Sequence, residues 1–268
     1  MNKNILREIH EHILKIANTK RADSNRWFFK TGKGEYGEGD KFLGLTVPQT
    51  RTMVRTFNYL SLEDTEKILK SEYHEERLLA LLLLVDKFEK TKNIKEKEEV
   101  FKLYFKNIKY INNWDLVDTS APKIVGAYVK EKYALKTKNC SGVKFLKSLV
   151  SDKNIFAKNT KEKLWEKRIG IVATLYLIMR SKKDEYASRV VLEIVKKNLV
   201  EESKINSHDL LQKASGWMLR EYGKRINEKK LKEFLNENFA LIKNRRTLLR
   251  YAIERLEEKE RKGWLNKK

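Results

Sequence analysis

Trp114 and Asp118 lie four residues apart in the segment YINNWDLVDTSAPKIVG (110–126), which carries less charge than its surroundings. On a helix that spacing places both side chains on one face, one turn apart. A carboxylate set against an aromatic face suits the stabilisation of developing positive charge. The ring quadrupole attracts cations, and a carboxylate does so more strongly in a partly dry site. The same spacing also serves a core tryptophan with an acid capping or pairing nearby. Two other segments combine tryptophan with basic side chains. LWEKRIGIVATLYLIMR (164–180) sets Arg168 beside a long apolar stripe after Trp165. LLQKASGWMLREYGKR (210–225) offers Lys213, Trp217 and Arg220 within two helical turns, and the small Ala214, Ser215 and Gly216 permit close approach to the tryptophan face. Core packing with a solvated basic edge explains either segment as well. Three helices that each carry a tryptophan and a nearby charge point to a shared groove. The tail IKNRRTLLRYAIERLEEKERKGWLNKK (242–268) places Arg245, Arg246 and Arg250 at helical spacing. Such residues grip phosphates, or pair with glutamates on a solvated helix.

Other chemistries find little support. His10 and His12 are two apart and point away from each other on a helix, while His74 and His208 are isolated in sequence. Neither HExxH nor a Cys–His cluster occurs, and Cys140 stands alone, so metal and thiol chemistry are disfavoured. No Gly-x-Ser-x-Gly elbow is present. We therefore expect no metal and no cofactor. The stretch KTGKGEYGEGDKFLG (30–44) formally satisfies GxGxxG at Gly32, Gly34 and Gly37. However, RWFFK precedes it where a dinucleotide fingerprint needs a buried strand, and the Gly-Lys-Ser/Thr ending of a phosphate loop is absent. It reads as a flexible loop whose exposed N–H groups contact a ligand backbone.

The elements that must position these residues are helical. Only two prolines and eleven glycines occur in 268 residues, and apolar residues recur at spacings of three and four. Ile5, Ile9, Ile13 and Ile16 form one stripe, and Ser61 is a natural N-cap for the segment that follows. EERLLALLLLVDKFEK (75–90) is apolar nearly all round and predicts a central helix. Further helices are predicted near 94–107, 114–133, 162–180, 185–198, 207–222, 228–239 and 246–260. No strand pattern interrupts them and the connections are short. The expectation is a single all-α domain over 1–268, with helix pairs recurring at about 40 residues as in a solenoid.

Lys and Arg total 59 against 37 Asp and Glu, a formal charge of +22 that attracts polyanions. A surface simply decorated with Lys–Glu pairs explains the excess too. No stretch approaches the roughly 20 uncharged apolar residues of a membrane span, and the amphipathic N-terminus lacks a cleavage site. The chain is thus expected to be soluble and intracellular.

Taken together, FFKTGKGEYGEGDKFLGLTVPQTR, NNWDLVDTSAPKIVG, WEKRIGIVATLYLI, LLQKASGWMLREYGK and RRTLLRYAIERL resemble, in the same order, blocks of the AlkD-type DNA alkylation-repair glycosylases. The resemblance implies a HEAT-like helical-repeat solenoid with a concave basic cleft. It also implies hydrolysis of the N-glycosidic bond of cationic purines such as 7-methylguanine and 3-methyladenine in duplex DNA, without a pocket for a flipped base. Trp114, Asp118, Arg168 and Trp217 occupy the places of the family's active-site tryptophan, carboxylate, arginine and second tryptophan. Asp118 would meet oxocarbenium charge and orient or deprotonate water, the two tryptophans would line the deoxyribose, and Arg168 would hold a phosphate. Lys213, Arg220, Arg245, Arg246 and Arg250 are the further DNA-binding candidates. So are the aromatics of RWFFK, Trp27 and Phe28 with Phe29 as an alternative, none of which is the tyrosine that a hydroxyl-dependent contact needs. A monomer acting on double-stranded DNA in the cytoplasm, at the nucleoid, is expected. The alternative is a non-catalytic clamp for damaged or branched DNA. A protein-binding scaffold fits the basic excess and the tryptophan-rich segments less well.

Overall fold

In a computed structural model of the chain, residues 4–133, 140–180, 185–201 and 204–267 are described. All regular elements among them are helical, and the isolated bridge between Lys41 and Tyr73 is their only strand-like pairing. The fold is all-α, as the apolar periodicity predicts. By internal packing the chain divides into two compact units, Met1–Ser120 and Ala121–Lys268.

The first unit begins with α1 (Asn4–Leu14), whose stripe of Ile5, Ile9 and Ile13 is buried. Next comes α2 (Thr19–Phe28), started by the Asn18 side chain accepting from the Arg21 N–H. Thr46 and Gln49 form a capping box at the head of α3 (Val47–Phe57), and Ser61 caps α4 (Leu62–Leu69). The central helix is α5 (His74–Lys90), in which Leu78 to Val85 are all buried. It packs on α3, α4 and α6 (Ile94–Lys106). A 3-10 turn over Ile108–Tyr110 leads to α7 (Trp114–Ala121).

The glycine-rich connection between α2 and α3 departs from expectation. At its C-terminal end three N–H groups turn inward: the Glu75 carboxylate accepts from Leu43, Gly44 and Leu45 at 3.0, 2.8 and 3.2 Å. Gly44 has φ +80°, and a Cβ there would lie 2.0 Å from the Asn18 carbonyl oxygen, so only glycine permits this seat. The C-terminal end of the connection, from Asp40 to Leu45, is anchored to α5.

The second unit opens on a π turn over Pro122–Gly126 followed by α8 (Ala127–Tyr133). Residues 114–133 are helical without interruption, as the pattern predicts, but wound as π over Pro122–Gly126. Proline has no N–H for the helical ladder and crowds the preceding turn, which favours a wider local winding. After this come α9 (Ser141–Val150), α10 (Thr160–Arg180), α11 (Glu185–Val200), α12 (Asp209–Arg225), α13 (Glu228–Glu237) and α14 (Phe239–Ile242). The predicted 246–260 helix is two, α15 (Arg246–Ala252) and α16 (Glu258–Asn266). Successive helices from α9 to α13 pack on one another, and α9 and α10 also reach α11 and α12 respectively. Neighbour-on-neighbour packing of this kind is the pattern of a helical-repeat fold. Gly216 explains the close seating of α15 on α12: a Cβ there would lie 2.5 Å from the Leu248 carbonyl oxygen. The small residues before Trp217 thus admit the protein's own helix.

Candidate active site

The site in the first unit starts with the two asparagines before Trp114. The Asn113 side-chain oxygen accepts the Trp114 N–H at 2.8 Å, and its carbonyl accepts the Val117 N–H at 3.2 Å. This cap sets the start of α7 and therefore which residues face inward. Leu116 and Val117 are fully buried in the core, while Trp114 and Asp118 are half-buried on the opposite side. The four-residue spacing does place them on one face. Both line a cavity of about 410 Å³, with Phe28, Phe29, Phe42 and Thr119 among the other lining residues.

Aromatic rings build one wall. Phe29 stacks on Trp114 with centroids 5.3 Å apart and planes 21° from parallel, and Phe28 meets Trp114 edge-on at 5.8 Å. Of the three aromatics in RWFFK, Phe28 and Phe29 line the cavity. Trp27 is not among its lining residues: it is 75% exposed, with the Lys30 ammonium 5.0 Å from its ring centroid.

His74 and Asp115, which also line the cavity, belong to a charged cluster whose histidine is isolated in the sequence. His74, at the first turn of α5, is buried. Its Nδ1 lies 3.0 Å from Asp40 Oδ2 and its Nε2 2.8 Å from Asp115 Oδ2. Arg77 donates to the other Asp40 oxygen at 2.6 Å. Burial alone would push His74 down, but the charge and hydrogen bond of Asp115, with the bond to Asp40, carry it up to about 9. Burial would likewise raise Asp40, yet the His74 hydrogen bond and the Arg77 charge hold it below its ordinary value. The His74 ring stacks on Phe42 at 4.6 Å, Phe42 on Phe29 at 5.1 Å, and so the stack continues to Trp114. Asp40, His74 and Asp115 are too distant in sequence for any local pattern to join them.

A family model described as DNA alkylation repair enzyme matches residues 9–256. The chain belongs to that family. No curated protein and no solved structure matched it. Among the described residues no helix is long and apolar enough to cross a membrane.

In this DNA alkylation repair enzyme the remaining candidates lie in the second unit. Arg168, on α10, is only 4% exposed and donates from Nη1 to the Leu210 carbonyl at the start of α12, at 2.6 Å. His208 caps the same end, its Nδ1 accepting from the Leu210 N–H at 3.2 Å. Burial lowers the His208 pKa, which keeps the ring neutral and able to accept. Trp217 is half-buried two turns further along α12, whereas Trp165 is a core residue at 2% exposure. Lys213 pairs with Asp209 at 2.6 Å. Arg220 binds Glu254 at 2.6 Å and Glu221 at 3.1 Å, and these bonds outweigh burial to raise its pKa. Arg245 is half-buried, reaches the Leu199 carbonyl at 2.9 Å, and is lowered by burial. Arg246 and Arg250, on α15, are exposed, with Arg246 donating to the Leu265 carbonyl at 2.9 Å. Of these arginines, Arg246 and Arg250 on α15 are exposed, while Arg168 and Arg245 are tied into the framework.

Proposed function

We propose that this repair enzyme is a DNA glycosylase that hydrolyses the N-glycosidic bond of cationic alkylated purines, 7-methylguanine and 3-methyladenine, in duplex DNA. The observation that carries the reading is the shared cavity of Asp118 and Trp114, in a chain of the DNA alkylation repair family. An alkylated purine with a positive ring leaves as a neutral base, so the reaction asks for little acid catalysis. What must be stabilised is the oxocarbenium character that builds on the sugar. Asp118 supplies a negative charge to that carbon and orients or deprotonates the attacking water. The aromatic wall around Trp114 excludes solvent, which strengthens the carboxylate's effect, and offers a ring face to the cation. The chemistry is that of glycoside hydrolysis with one carboxylate where two are usual.

Trp217 is assigned to the deoxyribose. Arg246, Arg250 and Lys213 are assigned to backbone phosphates, with Phe28 and the exposed Trp27 contacting DNA at the first unit. The +22 charge supports binding to the DNA backbone. Arg168 exposes too little of its guanidinium to serve as a free phosphate clamp, and its bond to Leu210 supports a role in holding the end of α12. The lesion base is taken to react without extrusion from the stack, and the enzyme to act as a monomer in base excision repair. Chromatographic measurement of free 7-methylguanine and 3-methyladenine released from alkylated duplex DNA tests the reading. Release by wild type and its loss in Asp118→Asn are expected. DNA binding without release over background would replace it with a non-catalytic clamp for damaged DNA.

A further inference from the structure

We infer that His74 is a positioning residue for the Trp114–Asp118 pair, an imidazolium clasped between Asp40 and Asp115 that pins the first turn of α7 to α5 and to the glycine-rich connection. This rests on the glycosylase reading for its catalytic consequence, but not for the clasp itself.

The geometry requires the proton. Both ring nitrogens face carboxylate oxygens within hydrogen-bond distance. A neutral imidazole can donate from one nitrogen only, so two ionised acceptors are satisfied only by the doubly protonated ring. Arg21 and Asp118 line the same cavity, and the groups bonded to the cluster or beside it on α5 are the following. From α5, Arg77 joins Asp40, Glu75 is held by the backbone N–H groups of residues 43–45, and Glu76 bonds His10 and Ser71. From the connection comes Asp40, and from α7 Asp115, with Asn112 donating weakly to Asp40 at 3.4 Å. From α2 comes Phe29, which carries no charge. Two cations thus face two anions, and the cluster is neutral only while His74 is protonated. Asp115 Oδ1 is buried without a hydrogen bond, so the bond to His74 is the one holding that carboxylate.

The link to the site is covalent on one side and stacked on the other. Asp115 adjoins Trp114, so fixing its side chain fixes the rotation of α7 and, one turn on, the direction of Asp118. The same imidazolium stacks on Phe42, which stacks on the ring seated against Trp114. Losing the proton should therefore let α7 turn and Trp114 tilt.

Asp115→Asn preserves size and removes one anion; His74→Phe preserves the stack and removes both bonds. Histidine NMR titration of the full chain should show His74 charged to about pH 9 in wild type and titrating lower in Asp115→Asn. Single-turnover base release should fall about tenfold or more in Asp115→Asn with DNA affinity unchanged, and its alkaline decline should move to lower pH. A wild-type His74 that titrates near 6.5 overturns the inference, as does an Asp115→Asn protein with the wild-type rate and pH profile. If wild type releases no base, the glycosylase reading falls alone. The clasp is then decided by the Trp114 near-ultraviolet circular dichroism, obtained by difference against Trp114→Phe. A signal that changes as His74 deprotonates upholds it, and an unchanged one overturns it.

Discussion

His74 Nε2 and Asp115 Oδ2, 2.8 Å apart in a buried cluster, join the start of α5 to the start of α7. A bond between an imidazolium and a carboxylate out of water is among the stronger single links a helical fold can contain, because neither partner can be lost without stranding the other.

That link gives stability a definite pH dependence. His74 is raised in the folded state from 6.5 to about 9, so its contribution is fully present below about 6.5 and is lost as pH rises through 9. The contribution is on the order of 3 kcal/mol. Asp40 is lowered, so its contribution is present above 3.8 and lost as pH falls through its depressed folded value. Melting temperature should be highest between these limits and decline from pH 6.5 to 9. Scanning calorimetry across pH 4 to 10 measures this, and a flat alkaline limb contradicts it.

Asp118→Asn should lower single-turnover release of 7-methylguanine by about a hundredfold or more, the scale for removing one preorganised electrostatic group. Its affinity for the same duplex should stay within about threefold, because in the proposed reaction Asp118 faces the sugar and not the phosphates. Equal losses in binding and release would instead mark Asp118 as a DNA-binding residue.

Glu75→Ala should be costly to the fold itself. Its carboxylate satisfies three backbone N–H groups of the connection, and a stranded buried donor costs about 1–3 kcal/mol. Chemical denaturation should show a loss of about 3 kcal/mol or more, with Glu75→Gln intermediate since its amide oxygen still accepts.

The arginines should separate by salt dependence. Each phosphate neutralised adds a slope of about −0.9 to the logarithm of affinity against the logarithm of salt. Arg246→Ala and Arg250→Ala should each reduce that slope by about one unit with little effect on folding. Arg168→Ala should lower stability, since it strips the donor from the Leu210 carbonyl. Fluorescence anisotropy over a salt series distinguishes the two groups.

Much of this protein could be read from sequence because the information is local. Apolar residues at spacings of three and four are buried as stripes in Ile5, Ile9 and Ile13 and as a whole cylinder in α5. Ser61 caps α4 because the cap is a contact within four residues. Trp114 and Asp118 share a face because a helix alone dictates it.

What the tertiary structure decided depends on residues brought together from far along the chain. That the end of the stretch 30–44 is tied to α5 shows only once Glu75 is seen to accept from Leu43, Gly44 and Leu45. Small residues before Trp217 look like an opening until α15 fills it. Phe28 and Trp27 are adjacent and chemically alike, and only packing sends one into the cavity and leaves the other in solvent. His74 carries no local signal, because its chemistry comes from Asp40 and Asp115, 34 and 41 residues away. Periodicity encodes which face a side chain takes; only folding decides which distant charge it meets there.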